Sequence, residues 1–164
     1  MVGRLHSAFR ALCLLALLTT GACWAGDDRA SASLGYLAPD AASQRMEQAR
    51  TEAQASGRRI LIIAGGDWCR WCHVLDRFLD REPALQSRLD AAFVVVKVEV
   101  DGSEAAHPVL DPLPPALGYP HFWVLEANGE VVESIETGGL ESGRNSYSRK
   151  AFGRFLDRFA PHSP

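Results

Sequence analysis

Hydrophobic positions in the middle of the chain change between helical and strand spacing. A first helix is predicted over about 41–56, because apolar residues recur there at the spacing of one helical face: Ala42, Met46, Ala49 and Ala53. Gly57 follows as its predicted C-terminal cap. The next run, RRILIIAGG at 58–66, is short, apolar and ended by glycines, which is typical of a buried strand.

A second helix is predicted to begin near Cys69 and to stop before Pro83. One apolar face carries Cys72, Leu75 and Leu79. Pro83 can then open a short helical piece that runs through Leu89. The run FVVVKVEVD at 93–101 is the strongest strand pattern in the sequence, because it is both long and rich in valine.

The second half of the chain predicts a loop, a hairpin and a helix. Residues 107–120, HPVLDPLPPALGYP, are rich in proline and predict a loop. Asn128-Gly129 lies between two apolar runs in 121–136, which indicates a β-hairpin. After the Gly138-Gly139 break, Asn145 is predicted to cap a last helix, whose buried face would be Tyr147, Ala151, Phe152, Phe155 and Phe159.

The order of these elements predicts an α/β fold with a mixed central sheet and helices on both faces. The first two strands are joined through a helix, so they should be parallel with a right-handed crossover. The hairpin strands must be antiparallel. One domain over 40–162 accounts for all of these elements.

Residues 1–25 have the character of a secretory signal peptide. Arg4 and Arg10 precede the apolar run ALCLLALL, and small residues follow. TTGAC at 19–23 resembles a bacterial lipobox, which makes Cys23 a candidate lipidation site; cleavage after Ala22 or Ala25 is the competing interpretation. Residues 26–39 are predicted to be a flexible tether. A periplasmic or cell-envelope location follows as an expectation, with membrane contact only through that lipid anchor.

The charge and the cysteine content of the chain exclude some classes of function. The chain is 47% hydrophobic and 23% charged, as in ordinary folded domains, and its net charge of -3 argues against nucleic acid as a partner. Of the four cysteines, only Cys69 and Cys72 lie in the predicted domain. A scaffold of several disulfides is therefore excluded, and these two cysteines can bond only to each other.

The segment DWCRWCH at 67–73 carries the candidate chemistry. A cysteine at a helix N-terminus meets unpaired backbone N–H groups and the positive end of the helix dipole, which stabilise a thiolate. The pKa of such a cysteine can be lowered by about 1–5 units. Cys69 is therefore expected to be an exposed nucleophile, and Cys72, one turn further in, the resolving thiol.

Several motifs together make the chain similar to the thioredoxin superfamily over roughly 40–160. They are Trp68-Cys69-x-x-Cys72 after a strand, the strand VKVEVD at 96–101, Gly118-Tyr119-Pro120 before a hairpin, and the glycine pair before the last helix. The resemblance implies exchange of disulfides with protein substrates, a redox partner protein and no cofactor or metal.

The resemblance also implies a substrate groove beside the cysteines. Trp68 matches the aromatic residue that shields the site, and Arg70 places a cation close to Cys69. Tyr119-Pro120 matches a cis-proline loop, which would leave backbone groups of Tyr119 free to pair with a substrate strand.

One departure concerns proton transfer. Thioredoxins have a buried acid six residues before the first cysteine, and Ile63 stands there in this chain. Lys97 matches the family's partner lysine. Glu99 lies on the same strand face as Lys97, and it is the candidate substitute for the acid, with Asp67 and His73 as others.

Three alternative functions stay open at this point. Cys69, Cys72 and His73 fit the attachment motif of c-type haem, with Met46 or a histidine as second axial ligand. The same three residues could bind copper or zinc, with His107 or His121 as distant further ligands. A non-catalytic thioredoxin-like binding module is the third.

Overall fold

The computed structural model describes residues 35–102 and 107–159 of the chain. This part contains four α-helices and six strands. The helices are α1 (Pro39–Ser56), α2 (Arg70–Arg81), α3 (Pro83–Ala92) and α4 (Arg149–Phe159). The strands are β1 (Arg59–Gly65), β2 (Phe93–Glu99), β3 (His121–Leu125), β4 (Val131–Glu136), β5 (Glu141–Ser142) and β6 (Ser146–Tyr147). A short 3-10 helix, Thr137–Leu140, joins β4 to β5.

The main sheet has the order β2-β1-β3-β4 and is mixed. β1 and β2 are parallel, as expected for strands joined through helices, and Ile63 lies opposite Lys97. β3 pairs antiparallel with both β1 and β4. The β3–β4 turn contains Gly129 at φ 92°, a conformation that glycine adopts without steric cost, so the predicted hairpin is confirmed.

The sheet separates two hydrophobic cores. Helices α2, α3 and α4 pack against one face, where Phe93, Phe122 and Phe155 form ring contacts. Helix α1 covers the other face through its small residues and Met46. All but the first residue of β1 are buried, because both faces of this central strand are covered. The predicted mixed sheet with helices on both faces is confirmed.

The predicted start of the last helix is wrong. Asn145 does not cap it, because α4 begins at Arg149 and Ser148 occupies the cap: its side-chain oxygen accepts a hydrogen bond from the Ala151 N–H at 3.2 Å. Tyr147 is buried as expected, but it lies on β6, which pairs with β5 in a small second sheet. Asn145 therefore lies in the turn between β5 and β6, before the helix begins. These two-residue strands are too short to show a hydrophobic period, so the sequence pattern did not predict them.

The predicted tether also differs from the structure at its end. Leu37 pairs with Val98 in a parallel bridge, and its carbonyl oxygen accepts a hydrogen bond from the Glu99 N–H at 2.9 Å. The segment just before α1 is thus bonded to the edge of β2. The predicted signal peptide, with Cys23, and the rest of the tether lie outside the described residues. Within the described residues, no helix is both long enough and apolar enough to cross a membrane.

Candidate functional site

Cys69 and Cys72 lie where β1 passes into α2. The buried strand ends at Gly65, and the chain then turns so that Cys69 becomes the N-cap residue of α2. The two sulfur atoms form a disulfide, with an S–S distance of 2.08 Å and a Cα–Cα distance of 5.2 Å. The prediction that these cysteines bond to each other at a helix start is confirmed.

The sulfur of Cys69 lies at the N-terminal end of α2 and meets one backbone N–H group. Its Sγ accepts a hydrogen bond from the Cys72 N–H at 3.2 Å. The positive end of the α2 dipole lies at this position, so negative charge on Cys69 would be stabilised in the reduced protein. The expected exposure is wrong for this oxidised state, because Cys69 is only 3% exposed and Cys72 is 0% exposed.

Gly65 allows Cys72 to pack directly against the end of β1. A Cβ atom at this position would overlap the Cys72 sulfur and lie 3.0 Å from a ring carbon of Tyr36. Both contacts are too short for any side chain larger than hydrogen. The glycine after the apolar run is therefore needed for close packing beneath the disulfide as well as for ending the strand.

Aromatic side chains form one wall of the site. Trp68 is 58% exposed, donates its indole N–H to the Val100 carbonyl oxygen at 2.6 Å, and contacts Tyr119 edge to face. The Tyr119-Pro120 peptide bond is cis, as expected. Thr137 donates its hydroxyl to the Pro120 carbonyl oxygen at 2.7 Å, which holds this loop in place.

A family model described as thioredoxin-like matches residues 41–127, more than half of the chain. The chain belongs to the thioredoxin-like family. The similarity inferred from the WCxxC motif and the Gly-x-Pro loop is therefore confirmed at the level of family and fold.

Two solved structures share the thioredoxin-like fold. A disulphide isomerase from Xylella fastidiosa Temecula1 is 23% identical, with a TM-score of 0.56; the match covers 71% of this chain and 89% of that one. The C-terminal domain of Neisseria meningitidis DsbD in the oxidised form is 15% identical, with a TM-score of 0.55 and coverage of 76% and 98%. No curated protein matches the sequence significantly.

Lys97, which matches the family's partner lysine, forms an ion pair with an acid on α2. Lys97 is 5% exposed and donates to the Asp76 carboxylate at 2.7 Å, while its Nζ lies 4.9 Å from the centre of the Tyr36 ring. Asp76 follows Cys72 by four residues on α2, so the two side chains share one helix face. The sequence patterns did not single out Asp76 as this acid, although its i+4 spacing from Cys72 was a usable signal.

Glu99 is not the acid that pairs with Lys97. It lies at the end of β2, opposite Gly65 in the strand register and partly exposed, whereas the acid that meets Lys97 comes from α2. The prediction from the strand face alone was incomplete, because a helix packed on that face can supply a carboxylate from outside the sheet.

Two tyrosines lie close to Asp76. Burial raises the pKa of both phenols, Tyr36 and Tyr147, well above the ordinary value, and the charge of Asp76 adds to the effect in each. Both hydroxyls therefore stay protonated at neutral pH and can act as hydrogen-bond donors beside the carboxylate.

The remaining predicted site residues lie around the rim. Arg70 is exposed and hydrogen-bonds to the side chain of Asn145. The ring of His73 is also exposed, and its Nε2 lies 2.7 Å from the Asp67 carbonyl oxygen, so this contact ties the ring to the loop and away from Cys72. Trp71 packs edge to face on Tyr147.

The structure does not bring together the ligands that the haem and metal alternatives need. Met46 lies in the core on the α1 side of the sheet, whereas α2 packs on the other side. His121 is buried on β3 beside Ser134, and the His107 ring accepts backbone N–H groups of its own loop. Among the described residues, no three side chains of His, Cys, Asp or Glu are grouped so that they could hold a metal ion.

Proposed function

We propose that the chain is an exported thiol–disulfide oxidoreductase that exchanges disulfides with protein substrates. The observation that carries the proposal is a disulfide at the positive end of α2, beside a cis-proline loop and an exposed tryptophan. A pair of adjacent thiols at a helix start can attack and release a substrate sulfur in turn. One of the solved structures that share this fold is a disulphide isomerase, which supports the same chemistry.

The bonds that form and break in this reaction join only the sulfurs of the two cysteines and of the substrate. In the reducing direction, the Cys69 thiolate attacks a substrate disulfide, which forms a mixed disulfide and releases one substrate thiolate. The Cys72 thiol then loses its proton and attacks Cys69, so that the Cys69–Cys72 disulfide forms and the second substrate thiolate leaves. Two electrons pass to the substrate, and a partner dithiol restores them. The oxidising direction is the reverse of these steps.

Asp76 is the proposed proton acceptor for Cys72. The resolving thiol is fully buried, so water cannot easily remove its proton. Asp76 is 33% exposed, lies one helical turn further along α2 and is held by Lys97. This arrangement supports a path by which the proton leaves Cys72 and passes through the carboxylate to solvent. Trp68, Tyr119 and Pro120 are proposed to shape the substrate groove.

Export is a separate part of the proposal. It is supported by the charged, apolar and small-residue order of residues 1–25, which precedes the domain. Labelling cells with a fatty acid tests the lipidation of Cys23. Label that disappears in a Cys23→Ser variant would establish the anchor, whereas an unlabelled mature protein that begins after Ala22 or Ala25 would establish ordinary cleavage.

Trapping of mixed disulfides tests the exchange function. In cells that express Cys72→Ala, complexes between Cys69 and substrates should accumulate, because the resolving step is removed. They should be visible on a non-reducing gel and disappear with reductant. The matched control, Cys69→Ala, should trap none, because Cys72 is fully buried. Equal trapping by both variants, or none by either, would contradict the roles proposed for the two cysteines.

The reduction potential of the Cys69–Cys72 pair, titrated in glutathione buffers, shows whether the protein acts as a reductant or as an oxidant. A potential near about -270 mV would indicate a reductant or a relay that a reductant feeds. A potential near about -120 mV would indicate an oxidant that donates disulfides. Sulfurs that cannot be alkylated after reduction would contradict the proposal, because both would then be blocked by another group.

A further inference from the structure

A basic groove of about 540 Å³ lies between α2, the helix that begins at the redox pair, and the segment that includes β6 and the start of α4. Its floor is formed by the buried side chains Val74, Phe78 and Tyr147. Four cations line it, namely Arg77, Arg81, Arg149 and Lys150, whereas Glu82 is the one acid among its lining residues. The groove is therefore strongly positive on a chain whose net charge is -3.

Three of the four cations in the groove have no acidic partner among the residues that the structure describes. Arg149 forms an ion pair with Glu82, which uses the acid of the groove. Within 35–102 and 107–159, no ion pair is formed by Arg77, Arg81 or Lys150. Elsewhere on the surface, arginines such as Arg88 and Arg158 are each neutralised by an acid. Three of the four cations of the groove are thus not neutralised by an ion pair.

The basic groove is continuous with the redox site. Arg70, Arg77 and Arg81 are spaced at i, i+7 and i+11 on α2, so they lie within about 40° of one another around the helix axis. This row extends about 16 Å along the helix, beginning at the residue next to Cys69. Arg70 also hydrogen-bonds to Asn145, which lines the groove.

We propose that this basic groove binds an acidic segment of the polypeptide whose cysteine reacts at Cys69. The length of the row matches about five residues of extended chain, at roughly 3.3 Å per residue. Exposed cations in an open groove suit a chain of several carboxylates better than a single small anion, because each carboxylate can meet its own cation. The inference rests on the proposed function and names a substrate class for it.

Paired peptides test this charge preference directly. Two peptides would carry the same internal disulfide, and four positions within five residues of one cysteine would be Asp in one peptide and Lys in the other. The rate of reaction with the reduced protein would be followed by tryptophan fluorescence. At low salt, the acidic peptide should react about tenfold faster, and this advantage should shrink above about 0.5 M salt.

Charge reversal in the groove is the second part of the test. The double variant Arg77→Glu/Arg81→Glu should lose the preference for the acidic peptide and favour the basic peptide. Arg154→Glu, at an exposed position on α4 outside the groove, is the matched control and should keep the wild-type preference. Equal rates with both peptides, or the same loss of preference in Arg154→Glu, would overturn the proposal.

Binding of a peptide that cannot exchange disulfides separates this inference from the proposed function. A labelled acidic peptide whose cysteines are replaced by serine should bind the protein in an anisotropy measurement, and the double variant should weaken that binding. Protein that reacts with no disulfide but binds this peptide would refute the oxidoreductase and leave the groove assignment standing. Tighter binding of a single-stranded DNA oligonucleotide, or complete displacement by about 1 mM inorganic phosphate, would overturn the assignment to a polypeptide.

Discussion

Asp76 is the residue whose interpretation changes most between sequence and structure. In the sequence it is one of several charged residues on an amphipathic helix, and only its i+4 spacing from Cys72 sets it apart from Asp80. In the structure its carboxylate meets the buried ammonium of Lys97, close to the tyrosines whose pKa values its charge helps to raise. Contact with a residue 21 positions away in sequence, and not residue type, makes it the candidate proton acceptor.

Replacing Asp76 with Asn should slow the resolving step by a factor on the order of ten or more, because the buried Cys72 thiol would lose its proton acceptor. The deficit should be largest near neutral pH and shrink towards pH 9 or so, where solvent itself forms thiolate. Decay of a mixed disulfide with a model peptide, measured across pH, checks this. Asp80→Asn, at an exposed position of the same helix, is the control, and an equal deficit there would refute the role of Asp76.

His121 should make the folded protein sensitive to mild acid. It is 1% exposed, and burial lowers the pKa of its ring, although Glu136 partly opposes this effect. As pH falls through about 6.5, the unfolded chain gains a proton that the folded protein does not yet bind. The free energy of unfolding should therefore fall from pH 7.5 to 5.5, by up to about 1.4 kcal/mol for each unit of pKa difference.

The variant His121→Gln isolates this contribution. Urea unfolding at several pH values should show a weaker pH dependence for His121→Gln than for the wild type. Gln54→Asn, at an exposed position on α1 with no titratable group, should retain the wild-type dependence. If the His121 variant retained the full dependence, the acid sensitivity would have to come from another group.

At the scale of single elements, α2 and α4 show why helix centres were easier to predict than helix ends. The apolar period of α2 is clear, and the structure places its predicted face in the core. The start of α4 depends on Ser148, but Asn145 is an equally good capping residue in isolation. The backbone conformation at each position, set by β5 and β6, decided between the two.

Ser148→Ala should therefore destabilise the protein by about 1 kcal/mol, because the N-cap hydrogen bond to Ala151 would be lost. Asn145→Ala should leave α4 intact, since its side chain contacts Arg70 and does not cap the helix. Urea unfolding and far-ultraviolet circular dichroism of the two variants would compare them. A greater destabilisation by Asn145→Ala would favour Asn145 as the capping residue.

At the scale of the whole molecule, the sheet joins two cores that differ in composition. The α4 side contains phenylalanine rings stacked on one another, whereas the α1 side packs alanines and Met46 closely against the strands. β1 contributes side chains to both cores, with Ile62 on one face and Ile63 on the other. Loosening of either core is therefore transmitted through the strand that leads to Cys69.

A substitution in either core should consequently lower the urea midpoint of one unfolding transition that both cores share. Phe155→Leu on the α4 side and Met46→Ala on the α1 side should each cost roughly 1–3 kcal/mol. For each variant, tryptophan fluorescence and far-ultraviolet circular dichroism should report the same urea midpoint. Separate midpoints for the two signals would show that the cores unfold independently.

The sequence by itself determined most of the architecture and the reactive pair. Hydrophobic periods located α1, α2, β1, β2 and the hairpin, because burial on a sheet or a helix face requires those spacings. Glycine and proline determined local conformation at Gly129 and Pro120, because each permits or restricts backbone geometry. The three-residue spacing of Cys69 and Cys72 brought their sulfurs within bonding reach. These features depend on neighbours in sequence, so a sequence pattern can contain them.

Only the tertiary structure decided which distant side chains act together. Asp76 pairs with Lys97, Cys69 is buried in the folded chain, and Arg81 and Lys150 line the same groove, and each of these relations joins separate elements. Their contacts depend on how helices lie on the sheet, which no local period specifies. The electrostatic surroundings of the redox pair follow from that packing, because charge acts through distance in space and not through distance along the chain.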